Sequence, residues 1–526
     1  TGCCLRTYRG HEGEVRSVAL SADSQCIVSA GVDHTVRLWD AGGKLQRFSA
    51  PLALCRALRS ETAFTAEVAF AKAVQRSKER FDAGDWAGAA DIIRCARTQP
   101  GFRRNAAAME VWTKLYLKLP RASLAGCWEG ETIRGHQGSV RALVLTPTGR
   151  TAITGGKDGA IKAWDVDSGR LRVVCEGHAD AVHAVCTDPL GLYAFSSGAD
   201  NTLRCWDLAT GVCVRTLEEH AGSIESIAVS PDGRLAVTGG WALSLWDIAT
   251  GRCLYTFGGP TAAILDVAWT PDGRYVVTGT SDEEVRVWDI VTGECVQVMT
   301  GHAGVVKSVA VTADGSRVLS GSSPIWGRNG QVILWDMSEG APVRVFEGHA
   351  GGVNAVALSL DGRHALSGGA DHSVRFWDAQ SGECLRVLSD SFTNVQTVAL
   401  SFDNRFAVAG SDDGVIQVWY LDWTLENRVL GDWDPGAAPY LNPFVALHRP
   451  PATELPQDAS ADFFEIGRAL ERKGKPSWTD TDLDRLMFTL GCVGYGWLAR
   501  ESVEAELHRT GQRGVFGWLG RRRDAH

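Results

Sequence analysis

A Trp-Asp dipeptide recurs along this chain at nearly constant intervals, and no other feature constrains the fold as strongly. Its tryptophans are Trp39, Trp164, Trp206, Trp246, Trp288, Trp335 and Trp377, with Trp419-Tyr420 as a final variant. From Trp164 onward the intervals are 42, 40, 42, 47, 42 and 42 residues. Such a period predicts a repeated unit of four short strands.

A Gly-His dipeptide gives the repeats a second fixed point. His11, His136, His178 and His349 each precede a repeat tryptophan by 28 residues. Between them lie an alternating apolar segment, a turn such as SPDGR at 230–234, a second apolar segment ending in Ser or Thr, and a turn with Asp. This order predicts short antiparallel strands joined by tight turns.

These motifs, held in register over most of the chain, resemble the WD40-repeat family. The resemblance implies an all-β seven-bladed propeller with two small α-helical attachments and one additional N-terminal blade. Seven repeats run from Gly135 to Trp419, and residues 127–134 are expected to close the ring by supplying the outer strand of the last blade. The repeat at 3–49 is then left over, and the alternative is that it enters the ring as an eighth blade.

The resemblance also implies a buried hydrogen-bond chain of His, Ser or Thr, Asp and Trp in each complete repeat. The sets are His11, Ser29, Asp33 and Trp39; His136, Thr154, Asp158 and Trp164; His178, Ser196, Asp200 and Trp206; and His349, Ser367, Asp371 and Trp377. A catalytic Ser-His-Asp arrangement would need the same residue types. Four copies at identical spacing favour a structural role, because a catalytic triad is needed once and must be open to substrate.

The remaining segments divide the chain further. The expected organisation is an orphan blade at 1–50, a helical insert at 51–126, the propeller at 127–434, a Pro-rich extended linker at 435–456, a C-terminal helical bundle at 457–511 and a basic tail at 512–526. Apolar residues at helical spacing predict three helices in the insert. The segment AGDWAGAADIIRCA is similar to half of a tetratricopeptide unit, and the alternative is a packed helical linker. The tail carries Arg521, Arg522 and Arg523, which either contact an anionic surface or belong to a disordered end.

Composition excludes several classes of function. The net charge of -9 disfavours nonspecific nucleic-acid binding. No apolar run is long enough to span a membrane and no signal peptide precedes the first repeat, which favours the cytoplasm. Cys213, Cys253, Cys295 and Cys384 occupy one repeated position and are expected to be small buried residues rather than disulfide or metal ligands. No phosphate loop, metal-binding motif or kinase signature occurs, so we expect no catalytic site, cofactor or metal in these residues.

A binding surface is expected on the narrow face, where the family resemblance places partner contacts beside the Gly-His and Asp turns. The candidate residues are Arg141, Lys157, His183, Glu225, Ser281, Lys307, Asn354, Gln396 and Asp412, together with Trp326 and Arg328 in a five-residue insertion. They are polar and differ between repeats, which favours a protein or peptide partner over a symmetric ligand. The alternatives are that they are solvated turn residues and that Trp326 folds back as a lid.

Two functions follow from this sequence. The first is a non-catalytic interaction scaffold or sensor module. The second is the C-terminal regulatory region of a larger signalling enzyme, because the opening TGCCLRTYRGH matches the segments between repeats. The stretch WTDTDLDRLMFTLGCVGYGWL is also similar to the tail of bacterial WD40 proteins that follow a Ser/Thr kinase or a STAND-type NTPase. A start within a repeat predicts a fragment whose catalytic domain, if present, lies upstream of Thr1.

Overall fold

The computed structural model describes residues 15–20, 26–31, 36–40, 60–99, 102–217, 222–258, 262–324, 329–388, 393–456 and 463–512. The chain divides into two compact units, residues 1–68 and 69–526. In the first unit, β1 (Val15–Leu20), β2 (Cys26–Gly31) and β3 (Val36–Asp40) form an antiparallel three-stranded sheet. Of the set His11, Ser29, Asp33 and Trp39, only Ser29 in β2 and Trp39 in β3 belong to described strands, and His11 and Asp33 lie outside the described residues.

The second unit contains seven antiparallel sheets of four strands each. The first six are β5 (Val140–Leu145), β6 (Thr151–Gly156), β7 (Ile161–Asp165) and β8 (Leu171–Cys175) in blade 1; β9 (Val182–Thr187), β10 (Tyr193–Gly198), β11 (Leu203–Asp207) and β12 (Cys213–Leu217) in blade 2; β13 (Ser226–Val229), β14 (Leu235–Gly239), β15 (Ser244–Asp247) and β16 (Cys253–Thr256) in blade 3; β17 (Ile264–Trp269), β18 (Tyr275–Thr280), β19 (Glu284–Asp289) and β20 (Cys295–Thr300) in blade 4; β21 (Val305–Val311), β22 (Arg317–Ser323), β23 (Val332–Asp336) and β24 (Pro342–Phe346) in blade 5; and β25 (Val353–Leu358), β26 (His364–Gly369), β27 (Val374–Asp378) and β28 (Cys384–Val387) in blade 6. Blade 7 is β29 (Val395–Leu400), β30 (Phe406–Ser411), β31 (Val415–Leu425) and, as its outer strand, β4 (Arg121–Arg134).

The ring closes with seven blades, as the sequence predicts. The first strand of each blade contacts the first strand of the next, and β29 of blade 7 contacts β5 of blade 1. The alternative of an eighth blade in the ring is therefore wrong. Small residues permit this approach: a Cβ on Gly410 of blade 7 would lie 2.7 Å from Val140 Cγ1 of blade 1.

The pairing of β4 with β31 joins the two ends of the ring. Val415 lies opposite Arg134, Tyr420 opposite Trp128 and Leu425 opposite Arg121. The predicted pairing of residues 127–134 with the last blade is confirmed, but the boundary expected at residue 127 lies inside the strand, which begins at Arg121. The pair continues because the last residues of β31 are buried beneath the helical insert.

The helical insert comprises α1 (Ser60–Asp82), α2 (Trp86–Arg97) and α3 (Ala106–Leu115). The Asp85 side chain caps α2 by accepting a hydrogen bond from Gly88 N at 2.9 Å, and Asn105 caps α3 in the same way. The buried faces of α2 and α3 share one hydrophobic core with Leu421, Trp423 and Leu425 of β31. The insert is thus packed on the edge of blade 7.

The first half of the segment expected as an extended Pro-rich linker is helical, which corrects the prediction for that part of residues 435–456. A 3-10 turn (Pro435–Ala437) leads into α4 (Ala438–Leu447). Pro435 and Pro439 lie in first turns, where no intrahelical N–H bond is required, so these prolines are compatible with a helix start. Leu441 and Val445 of α4 are buried, which explains why the segment is ordered against its neighbours.

The C-terminal helices complete the second unit. They are α5 (Phe463–Leu470), α6 (Asp480–Cys492) and α7 (Arg500–Gln512), and α6 begins with a capping box between Thr479 and Asp482. Helices α4, α6 and α7 share one core. Arg521, Arg522 and Arg523 lie outside the described residues. No helix in the described ranges is long and apolar enough to cross a membrane.

The repeated cysteines differ from expectation. Cys213 and Cys253 are half-buried, and Cys295 and Cys384 are exposed. Each begins the outer strand of its blade, where one side of the sheet faces solvent, so the prediction that they are buried is wrong. All four are free thiols.

Candidate interaction surface

Each of the three fully described His sets forms one continuous hydrogen-bond chain. His Nδ1 lies 2.9, 3.0 and 3.0 Å from an oxygen of the turn aspartate for His136, His178 and His349. Their Nε2 atoms lie 2.8, 2.7 and 2.7 Å from the hydroxyls of Thr154, Ser196 and Ser367. The same hydroxyls accept hydrogen bonds from Nε1 of Trp164, Trp206 and Trp377 at 2.9, 2.7 and 2.8 Å.

These chains fix the loops of the narrow face. The aspartates also accept backbone hydrogen bonds from the Gly-His turns, as Asp158 does from Gln137 N at 3.1 Å. Burial lowers the pKa of His136, His178 and His349, which favours the neutral imidazole. The hydroxyl then donates to Nε2 while Nδ1 donates to the carboxylate. Because each hydroxyl already contacts its histidine and tryptophan inside a blade, this arrangement supports the loops and presents no open nucleophile.

Blade 5 contains a further histidine of this kind that the sequence reasoning missed. His302 Nε2 lies 2.6 Å from Ser320 Oγ, which accepts from Trp335 Nε1 at 2.7 Å. Gln331 takes the place of the aspartate and accepts from Ala303 N at 3.1 Å. The five-residue insertion lengthens the His-to-Trp spacing in this repeat, but the Gly301-His302 dipeptide was a usable signal.

Several narrow-face candidates contact one another between blades, around the central opening of the ring. His183 Nδ1 of blade 2 lies 3.3 Å from Glu225 Oε2 at the start of blade 3. This hydrogen bond is the main cause of a lowered Glu225 pKa, and Arg141 of blade 1 adds an attractive charge interaction. Blades 1 and 3 are not neighbours in the ring, so an interaction between Arg141 and Glu225 places both side chains toward the central axis.

The opposite side of the opening has a similar network. Lys307 Nζ of blade 5 donates to Asn354 Oδ1 of blade 6 at 3.1 Å. Gln396 Nε2 donates to Asp412 Oδ1 at 2.9 Å, and Ser139 Oγ of blade 1 donates to the same oxygen at 2.8 Å. Arg141, Lys157, Lys307 and Asp412 remain exposed.

Some of the candidate residues are not free to contact a partner. Ser281 Oγ accepts a hydrogen bond from Ala263 N at 3.0 Å, and Asn354 Nδ2 donates to Val395 O at 2.9 Å, so both have roles within the loops. Trp326 and Arg328 lie outside the described residues.

Trp241 is a strongly exposed aromatic side chain on the narrow face, and the sequence reasoning missed it. It lies in the turn between β14 and β15, where blade 3 has lost its aspartate, and it is 73% exposed. A Cβ on Gly222, in the preceding narrow-face loop, would lie 3.4 Å from Trp241 Cδ1. An aromatic residue in place of the turn aspartate was the available signal, because exposed tryptophans are enriched in binding hot spots.

Both helical attachments contact the opposite, wide face. The Arg472 guanidinium, after α5, bonds Asp232 in the turn between β13 and β14. Arg121 at the start of β4 bonds Cys492 O at the end of α6 and lies 3.5 Å from Asp361 in the β25–β26 turn. These turns are at the strand ends away from the His sets.

Comparison with known families agrees with this geometry. The family described as WD domain, G-beta repeat matches residues 2–40, 129–165 and 169–207, and the family described as NWD2 C-terminal beta-propeller matches residues 214–416. The chain is 26% identical over 187 residues to Nuclear distribution protein PAC1-2 of Uncinocarpus reesii, a match that covers 32% of each chain. It is 52% identical over 40 residues to Nuclear distribution protein PAC1 of Arthroderma benhamiae, which covers 8% of this chain and 9% of that one. The chain thus spans about a third or less of the curated relatives it matches. The repeat register, the closed seven-bladed ring and these matches together show that the chain contains WD40 repeats and folds into a seven-bladed β-propeller.

Proposed function

We propose that this chain is a non-catalytic scaffold or sensor module that binds a protein or peptide on the narrow face of its propeller. The observation that carries the proposal is a set of exposed polar side chains on the narrow face that differ from blade to blade, together with the exposed Trp241. The helical attachments contact the wide face, so they do not compete for this surface. The matched family and the free thiols support a scaffold in the cytoplasm, and the net charge of -9 argues against nucleic acid as the ligand.

Site-specific photocrosslinking in cells tests this proposal. A benzophenone amino acid is placed at Lys157 or Asp412 on the narrow face and, as the matched control, at Arg234, which is exposed in a wide-face turn. We expect the two narrow-face positions to crosslink the same protein and Arg234 to give no such product. Equal yields from both faces, or no crosslinked protein at either narrow-face position, would contradict the proposal.

A second candidate is the C-terminal regulatory region of a larger signalling enzyme such as a Ser/Thr kinase or a STAND NTPase. The observation favouring it is that one matched family is named for a propeller at the C-terminal end. Mass spectrometry of the endogenous protein tests it, because peptides from an upstream catalytic domain are expected in the same polypeptide. Their absence from a fully covered polypeptide would contradict this candidate.

A further inference from the structure

A cleft on the wide face forms a second place where this chain can hold a ligand. It lies between α3, the β4–β31 pair and the wide-face turns of blade 1, and its volume is about 670 Å³. This volume falls within the range of small-molecule sites. The cleft depends on the helical insert, so the propeller alone would not form it.

Stacked aromatic rings and a guanidinium line one wall of the cleft. Trp128 of β4 stacks on Tyr420 of β31, with ring centroids 5.9 Å apart and planes 15° apart. The Arg104 guanidinium lies over the Trp128 ring at 4.7 Å. Stacking orients a guanidinium while leaving the N–H groups on its edge able to donate.

The charges of the cleft leave positive groups unpaired. Its carboxylates are all engaged: Glu110 lies 2.9 Å from Lys114, Asp167 lies 3.5 Å from Arg405, and Asp403 accepts from Ser401 Oγ at 2.7 Å. Within the described ranges, Arg104 and Arg150 line the same cleft and have no ion pair. Two free guanidinium groups favour an anion, and the wall formed by Met109, Leu117 and Phe488 favours an apolar body.

We propose that this cleft binds a carboxylate attached to an apolar body, with Arg104 and Arg150 holding the carboxylate. A monoanion is favoured over a phosphate ester because three carboxylates line the same space and would repel a dianion more strongly. The source is either a free amphipathic acid or the C-terminal carboxylate of a peptide, which share this chemistry. This site is separate from the narrow face.

Saturation-transfer NMR titrations of the full chain test the proposal. The probes are 4-phenylbutyrate and N-acetyl-Leu-Phe with a free carboxylate, each compared with its amide, and phenyl phosphate. We expect at least one carboxylate to bind, and to bind about tenfold or more tightly than its amide, because hydrogen bonds to charged groups are the stronger class. Binding of the dipeptide alone identifies a peptide C-terminus as the source, and binding of 4-phenylbutyrate identifies a free acid.

Substitutions locate the binding and separate it from the proposed function. Arg104→Gln and Arg150→Gln are each expected to weaken carboxylate binding about tenfold, while Arg141→Gln on the narrow face leaves it unchanged and weakens partner crosslinking. Arg150 stacks on no ring among the described residues, so its variant carries the test if Arg104→Gln lowers the melting temperature. Equal binding of acid and amide, tighter binding of phenyl phosphate, unchanged affinity in both arginine variants, or no binding of either acid would overturn the proposal.

Discussion

His302 shows how a single buried side chain couples this fold to pH. Its ring contacts Trp335 edge-on, with centroids 5.7 Å apart, and its Nδ1 atom has no hydrogen-bond partner among the described residues. Burial lowers the pKa of His302 to about 4. Burial also lowers the pKa of the histidines in the complete sets, but their aspartates oppose this effect by stabilising the imidazolium.

Replacing His302 with Gln should flatten the dependence of stability on pH. Below about pH 6.5 the unfolded histidine binds a proton that the folded one does not bind until about pH 4, so stability present near neutrality is lost as the pH falls. We expect this residue to lower the free energy of unfolding by roughly 2 to 3 kcal/mol as the pH falls between those limits. Urea unfolding at pH 7 and pH 4.5 measures this change in the free energy of unfolding. The matched control is Arg170→Gln, at an exposed position. If the free energy of unfolding changed equally with pH in the wild type and in His302→Gln, His302 would not be the source of the pH dependence.

At the scale of elements, the helical insert is attached by a buried polar cluster and by apolar packing. Arg97 Nη2 of α2 lies 2.8 Å from Asp422 Oδ2, and Trp112 Nε1 of α3 donates to Asp422 Oδ1 at 3.1 Å. Both partners of the ion pair are almost fully buried, so removing one would leave an uncompensated charge. Trp423 lies beside this cluster, donates Nε1 to Asn404 O at 2.7 Å and is 1% exposed.

Two tryptophans allow a matched comparison at this scale. Trp423→Ala removes a buried ring and its hydrogen bond, and we expect it to lower the free energy of unfolding by about 3 to 5 kcal/mol. Hydrogen exchange should also accelerate in α2 and α3. Trp241→Ala removes an exposed ring and is expected to change stability by less than about 0.5 kcal/mol. Similar losses for the two variants in thermal and urea unfolding would show that Trp423 does not hold the insert.

The whole molecule depends on a contact between distant parts of the chain. Thr132 of β4 lies opposite Gln417 of β31, and its Oγ1 donates to Gln417 Oε1 at 2.6 Å across a sequence separation of 285 residues. This pairing covers the edge of β31, which would otherwise be open for another chain to pair with. We expect the stability of the ring to depend on it.

A proline placed in β4 tests this dependence. Thr132→Pro removes a backbone donor and disrupts the pairing that closes the ring. Thr216→Pro is the matched control, since Thr216 lies opposite Arg204 at the same register of the outer strand in blade 2. We expect the melting temperature to fall substantially more for Thr132→Pro, with increased hydrogen exchange in blades 1 and 7. A larger fall for Thr216→Pro would mean that closure contributes little.

The repeat spacing determined blades 1 to 6. The residues of each of these blades lie within about forty positions of each other, and each complete set of His, Ser or Thr, Asp and Trp bonds within that span, so a fixed spacing is enough to specify it. The repeat spacing gave no prediction where the spacing changed or where the chain has no repeat. The insertion in blade 5 hid His302, and the lost aspartate in blade 3 hid Trp241. Pro435 and Pro439 suggested a linker where helix starts occur.

Tertiary structure alone decided where the other parts of the chain lie. That α2 and α3 pack on β31, that Arg121 joins α6 to the wide face, and that Arg104 and Arg150 share a cleft all depend on residues far apart in sequence. Such contacts follow from which apolar surfaces remain uncovered once the ring has closed, and no local spacing encodes them. The repeat therefore specifies the propeller, whereas burial of the remaining apolar and charged groups specifies which segments pack on it and on which face.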